Sequence, residues 1–380
     1  MPGLTTQALP AAAPATVLAA GAFLKNRACL LHGRELLWSP LQGDLSDPEA
    51  CSAMEAALDS LASEASVRGW RIDAVAHDLH PDFPSTRAAA AWARHLDVPS
   101  HPVQHHHAHL GVVMAEQGWD GSEPVHGLAL DGVGLGTDGT AWGGELLAAR
   151  ADGFERLAHL PALALPGGDT AAREPWRVAA AVLHQLSRAD EIVPRFGPQF
   201  GEVVAAGVAT LLARDLRCPR SSGAGRWFDA AAAALRLAPQ RQTEAEAAIA
   251  LERAATAWLA QSPMPAVPAA WLDLPTLVGT LFDETDPGRG AARFHAALAT
   301  GLVQAAVRHG ATRLALTGGC FHNRLLSREI EAGCAAHGLR TWRPQTVDCG
   351  DAGLALGQAW LVAHSLAAVD TRRAAALETC

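Results

Sequence analysis

No C-x-x-C pair occurs anywhere in the 380 residues, which excludes a zinc ribbon. The seven cysteines, at 29, 51, 218, 320, 334, 349 and 380, are scattered and odd in number, a usage that suits a reducing compartment. Nor is there a run of lysine and arginine. With a net charge of −9 and a pI near 6.0, no nucleic-acid partner is expected, because phosphate neutralisation needs clustered cations. No uninterrupted apolar stretch reaches the roughly 20 residues that cross a bilayer, so no membrane association is expected. The start, MPGLTTQALPAAAPA, has no charged segment leading into an apolar core, so residues 1–15 read as a flexible tail and not as a signal peptide. What remains is a globular composition, 49% hydrophobic and 18% charged, long enough for two domains and expected in the cytoplasm.

The stretch that stands out runs from Val103 to Glu145, VQHHHAHLGVVMAEQGWDGSEPVHGLALDGVGLGTDGTAWGGE. It places four histidines in five positions. His105 and His109 stand four apart and so share one face of a helix, a common way to give one helix two metal ligands. The metalloprotease version needs Glu after the first His; His106 occupies that place and rules it out. Asp131, after LAL, falls where a strand is expected to end in a glycine-rich turn, a usual place for a third ligand. Asp351, in DCGDAG, is either a plain helix cap or the last oxygen ligand. Such N/O ligation without cysteine favours iron, zinc or manganese.

Taken in order, TVLAAG (16–21) reads as a buried strand, 28–32 and 35–40 as a hairpin, 49–68 as a helix and 72–79 as a strand. A proline-punctuated loop (78–86), a helix (87–96) and the histidine helix follow. Strand, glycine-bearing turn and hairpin then recur roughly 110 residues later, at 125–130, 140–150 and 154–160. Two such α/β halves suggest the actin-like ATPase fold, with nucleotide in the cleft between them. The halves are expected at 16–124 and 125–368, the second with a helical insertion at about 170–310 and a Pro-rich connection near 263–275, and 369–380 as a tail. RLALTGG (313–319) reads as a strand entering a glycine turn. Gly167 and Gly168, before Asp169, are either an anion-binding or sugar-binding turn or an ordinary strand-to-helix turn. Gly318 and Gly319 open a helix where phosphate or ribose could sit, and Asn323 either reaches that ligand or caps the helix.

DLHPDFPST, QHHHAH, LALDGVGLGTDGTAWGGE, LPGGDTAAREPWR, SSGAGRWFDA, TGGCFHNRLL and RPQTVDCGDAGLALGQAW occur in this order. Together they resemble the C-terminal half of the HypF hydrogenase-maturation carbamoyltransferases, a half similar to the TsaD-type tRNA enzymes and to the antibiotic O-carbamoyltransferase TobZ. The resemblance implies that His105, His109, Asp131 and Asp351 ligate one divalent metal, iron or zinc. It places ATP or carbamoyl-adenylate on the Gly132–Gly136 turn (with Gly134), on Gly167, Gly168 and Asp169, and on Gly318, Gly319 and Asn323. By the same resemblance Gly225 and Asp229 face the adenosine, and Lys25 and Asn26 line the carbamoyl end of the cleft.

The function so implied is carbamoyl transfer from carbamoyl-adenylate to the C-terminal cysteine of a HypE-type partner, a precursor of the hydrogenase cyanide ligands. His105, His109, Asp131 and Lys25 are its expected catalytic residues, and Cys380 is expected to be incidental. Full HypF chains also carry acylphosphatase-like, zinc-finger and YrdC-like domains that act on carbamoyl phosphate, and no room for them is seen here. Ala224 also stands where the resembled motif has Met. The alternatives are O-carbamoyl transfer to a small-molecule hydroxyl, disfavoured by the HHHAH and DLHPD wording; tRNA modification, disfavoured by the acidic pI; and a nucleotide-binding maturation scaffold without activity.

Overall fold

The computed structural model describes residues 3–119, 123–240, 243, 245–267 and 273–378, with side chains through 368. Its frame is one strand pattern made twice. The first sheet holds β1 (Thr5–Ala8), β2 (Val17–Ala19), β3 (Cys29–His32), β4 (Glu35–Trp38), β5 (Ala74–Asp78) and β6 (Ser100–Val103) in the order β1-β4-β3-β2-β5-β6. β2, β3 and β4 form an antiparallel meander, and β5 and β6 extend it in parallel from β2. β2, β3 and β4 read as near-continuous apolar runs because both faces of the sheet are covered there. α1 (Pro48–Val67) starts with Pro48 in its first turn and Asp47 accepting the Glu49 N–H, while α2 (Pro84–Leu96) starts at Pro84 and stops at Asp97, at φ +54.

α3 (His105–Gln117) ends the first half and is buried at every position from His105 to Ala115. Gln104 caps it by accepting the His107 N–H at 2.9 Å, and Gly118 closes it at φ +62.

The second sheet repeats the pattern with β7 (Val125–Leu135), β8 (Ala141–Arg150) and β9 (Gly153–His159) as the meander, and with β12 (Arg313–Thr317) and β13 (Arg340–Trp342) parallel to β7. Between β9 and β12 lie β10 (Leu163–Ala164), α4 (Asp169–Arg173), α5 (Pro175–Gln185), α6 (Ile192–Phe200), α7 (Glu202–Ala213), β11 (Arg220–Ser221), α8 (Ala224–Ala234), α9 (Glu246–Leu259), α10 (Leu274–Leu281) and α11 (Pro287–Arg308). α12 (Arg324–Ala336) and α13 (Leu354–Glu378) complete the half. α13 crosses α3 between the two sheets, packing on β2, β3 and β5, while α3 packs on β7, β8 and β12. The crossing is close because Gly111 meets Gly357: a Cβ on Gly357 would stand 1.7 Å from the Ala108 carbonyl oxygen.

Several expectations need correction. Residues 5–8 are no tail; they form β1 on the edge beside β4. Helix α13 likewise runs through most of the stretch expected as a C-terminal tail, and Cys380 lies outside the described residues. α2 begins three residues earlier than its apolar spacing suggests, inside the proline-rich loop. The strand expected to end at 130 continues to Leu135 through a bulge between Leu130 and Gly134, and the turn falls at Gly136–Gly139. Of the Pro-rich connection near 263–275, residues 268–272 lie outside the described residues. Among the described residues, no helix is long and apolar enough to cross a membrane.

Candidate metal centre

The start of α3, the bulge of β7 and the short turn before α13 converge. His105, His109, Asp131 and Asp351 each offer an atom within 4.8 Å of the others. His109 Nε2 lies 3.0 Å from Asp131 Oδ2 and 3.6 Å from Asp351 Oδ1; His105 Nε2 lies 3.6 and 3.4 Å from the same oxygens. Metal–nitrogen and metal–oxygen bonds of roughly 2.0–2.2 Å put neighbouring ligand atoms about 3–4.4 Å apart, so these separations fit one ion. His105 Nε2 is buried without a hydrogen-bond partner, the state expected of a nitrogen aimed at a cation. Burial opposes charge on both rings, yet Asp351, Asp131 and Asp78 raise His105 well above the ordinary histidine value, and Asp131 and Asp351 raise His109. Both histidines hold Asp131 well below the usual carboxylate range against its burial.

Asp78, at the end of β5 in DLHPD, went unassigned in the sequence. Its Oδ2 accepts the Nδ1–H of His105 at 2.8 Å, and both side chains are buried. That bond fixes the tautomer and turns Nε2 toward Asp131 and Asp351. The other two histidines serve the fold. His106 Nδ1 accepts from Gln104 Nε2 at 3.0 Å, and His107 Nε2 donates to the Arg150 carbonyl at 2.6 Å, with burial pushing His107 down to about 4.

Backbone crowds Asp131. Gly318, at φ +97, could carry no side chain, since its Cβ would stand 2.3 Å from the Leu130 carbonyl oxygen. A Cβ on Gly319 would lie 3.3 Å from Asp131 Oδ1, and one on Gly225 would lie 3.0 Å from Gly132 Cα. Gly132 donates its N–H to Asp131 Oδ1 at 2.7 Å. Arg226, another residue missed in the sequence, is buried beside Gly132. Its Nη1 lies 3.0 Å from Asp229 Oδ2 but out of hydrogen-bond line, and its Nε also lacks an acceptor. Fully buried Glu145 ties this segment down by accepting from Arg156 Nε at 2.7 Å and from the Ser222 hydroxyl at 2.5 Å.

Other expected ligand contacts take structural roles. Gly134 packs against His105 and His106, and Gly136 against the Trp142 indole, so neither belongs to an open glycine turn. Gly167 and Gly168 turn at the opposite end of β11 from Gly223, where the Gly167 N–H donates to the Arg217 carbonyl, and Asp169 is exposed. Asn323 is the cap of α12: its Oδ1 accepts the Leu326 N–H at 2.8 Å and its Nδ2 donates to His295 Nε2 at 2.9 Å. Asn26 is buried, its amide donating to the Ala20 and Ala22 carbonyls at 2.9 and 2.6 Å. Lys25 next to it is exposed.

Paired actin-like halves of this topology are those of the Kae1-like class of domains. Residues 12–116 match the family model described as the HypF Kae1-like domain, and 127–358 match that of the carbamoyltransferase Kae1-like domain, second subdomain. The chain belongs to the HypF carbamoyltransferase family. It is 53% identical to the carbamoyltransferase HypF homolog of Cupriavidus necator over 95% of each chain. To carbamoyltransferase HypF2 of the same organism it is 43% identical, over 91% of this chain and 46% of that one. A crystal structure of full-length HypF in its phosphate- and nucleotide-bound form superposes with a TM-score of 0.80 at 28% identity, over 95% of this chain and 48% of that one. The chain thus spans about half the length of the full HypF proteins it matches.

Proposed function

We propose that this chain works in hydrogenase maturation, transferring carbamoyl from carbamoyl-adenylate to the C-terminal cysteine of a HypE-type partner in the cytoplasm. The observation that carries the reading is the convergence of His105, His109, Asp131 and Asp351 in a chain of the HypF family. These four would hold one divalent cation, iron or zinc, which when bound supplies a Lewis acid for the carbamoyl or phosphate oxygen. Asp78 keeps His105 in the ligating tautomer. Arg226 offers buried N–H donors to an anionic oxygen beside Gly132, where they cost nothing to reorganise during the reaction. Gly319, where a Cβ would lie 3.3 Å from Asp131 Oδ1, keeps the space beside that ligand free of a side chain for the adenylate. The partner's thiolate then attacks the carbamoyl carbon, the bond to the phosphate oxygen breaks, and AMP leaves. Positioning supplies most of the rate.

Mass spectrometry of the partner's C-terminal cysteine tests this in two arms, ATP with carbamoyl phosphate and pre-formed carbamoyl-adenylate. Carbamoylation from the adenylate is the expected result, and the first arm tells whether this chain also performs the activation. A metal-loaded, nucleotide-binding protein that gives no transfer in either arm would leave a scaffold or another acceptor in its place.

A further inference from the structure

Asp351 differs from the other three ligands in what carries it. His105 and His109 stand on α3 and Asp131 on β7, whereas Asp351 follows residues 343–350, which form neither helix nor strand. Irregular backbone places a side chain less firmly than a helix or strand does, so such a ligand needs an anchor of its own.

At the start of the segment that anchor is Glu116, in the last turn of α3. Its Oε2 accepts the Gln345 N–H at 2.6 Å, and its Oε1 accepts the Thr346 N–H at 3.1 Å and the Thr346 hydroxyl. Gln7 on β1 completes the group. Its Nε2 donates to the Thr346 hydroxyl oxygen at 2.7 Å, while its Oε1 accepts from Trp38 Nε1 at 3.0 Å. For α3 alone, glutamate is a poor choice here, because its charge meets the negative end of the helix dipole. The two N–H groups of the segment offset that cost.

The far end of the segment is tied elsewhere. The Cys349 carbonyl accepts the Gly318 N–H at 2.8 Å and the Thr317 hydroxyl at 3.3 Å, where β12 ends. Those bonds set Asp351 against the half that carries Asp131. Glu116 sets the same segment against the helix that carries the histidines. It stands seven residues after His109, about 10 Å further along α3, so the chain runs back beside the helix from Gln345 to Asp351. On the way Val347 packs into the core that α3 and α13 share, and the turn Asp351–Gly353 meets α3. We propose that Glu116 is a positioning residue of the metal centre: by clasping the Gln345 and Thr346 N–H groups it presents Asp351 to His105 and His109. This rests on the four-ligand site of the reading above and adds what aligns its loop-borne member.

The full chain, stripped and reloaded with Zn2+ or Co2+ alone, tests the clasp. Chelator competition gives the zinc affinity, and the Co2+ absorption spectrum reports the ligand set. Glu116→Gln replaces one accepting oxygen with an amide nitrogen that cannot accept. It should weaken zinc binding about tenfold, as loss of a partner behind a ligand does. Its cobalt spectrum should move toward that of Asp351→Asn. In the Asp351→Asn background, which keeps His105, His109 and Asp131, the same change should cost less than about twofold, because the ligand it positions is already lost. Unchanged zinc affinity in Glu116→Gln overturns the proposal. So do equal losses in both backgrounds, the mark of a general loosening of the fold, and so does an Asp351→Asn variant that binds zinc like the unsubstituted chain. Zinc affinity that depends on Glu116 only while Asp351 is present, in a chain that transfers no carbamoyl, keeps the clasp and removes the transfer reading.

Discussion

The two halves share a topology and differ in what they place at equivalent points. The last helix of the first half opens with His105 and His109, whereas the last helix of the second half is preceded by Asp351. The first strand of one meander runs into Ala19, Ala20 and Gly21; that of the other reaches Ala129, Leu130 and Asp131. One half therefore supplies nitrogen and the other oxygen. Neither half alone could assemble the mixed set, and the crossing of α3 with α13 is what brings the two helix starts together. The second difference is the insertion between β9 and β12, which contributes Gly225 and Arg226 beside Asp131 and has no counterpart in the first half.

The largest effect should come from breaking the nitrogen side. His105→Ala or His109→Ala should abolish bound metal, read by elemental analysis, and carbamoyl transfer, read by mass spectrometry, with the fold retained by circular dichroism. Full transfer by a metal-free variant would remove the ion from the reaction.

The crossing itself comes next. Gly357→Ala drives a methyl to within 1.7 Å of the Ala108 carbonyl oxygen, where only backbone can yield. Overpacking of this kind costs about 3 kcal/mol, or on the order of 5–10 °C in Tm. Gly111→Ala, whose Cβ would meet Gly357 at 2.7 Å, should cost less. Thermal melts of the two variants compare the sides of the crossing directly, and equal, negligible shifts would show that the helices can separate freely.

Asp78→Asn tests the support behind one ligand. Loss of the carboxylate that accepts from His105 Nδ1 should weaken metal binding by about 10–100-fold with little change in melting temperature. Chelator competition measures this. An unchanged affinity would mean that helix α3 alone orients the ring.

Much of this frame was legible. Apolar runs marked β2, β3 and β5, and the i, i+4 spacing of His105 and His109 set them on one helix face. The misreadings share a cause, which is partners remote in sequence. LDGVGLGTDG has the composition of a turn, yet pairing with β8 keeps it extended to Leu135, since strand formation follows cross-strand neighbours more than local preference. TTQA gives no signal of its own and becomes a strand because β4 offers an open edge. For Asn323, which the sequence left between ligand contact and helix cap, the choice also depends on remote partners: the Leu326 N–H and a histidine on α11 engage it as the cap. Asp78 was visible within DLHPD; nothing local says that its acceptor atoms face His105.

At neutral pH the smallest expected effect contrasts the histidines of α3 with one inside the insertion. His105 faces three carboxylates and is raised; His295 faces only neutral groups. Its Nδ1 donates to the Ala291 carbonyl at 2.8 Å and its Nε2 accepts from Asn323, so the neutral ring satisfies both sites and a second proton would have no acceptor. Burial pushes it from 6.5 down to about 4. The unfolded chain then binds the extra proton first, so stability present above pH 6.5 is lost as pH falls toward 4, at up to about 1.4 kcal/mol per pH unit. His295→Gln should lower the urea midpoint at pH 7, because the Asn323 amide loses its acceptor. It should also flatten the decline between pH 6.5 and 4. Since other groups titrate in both proteins, the difference between the two curves is the quantity to read. Parallel curves would mean that His295 is protonated in the folded chain, and that Asn323 turns its amide oxygen toward the ring to receive that proton.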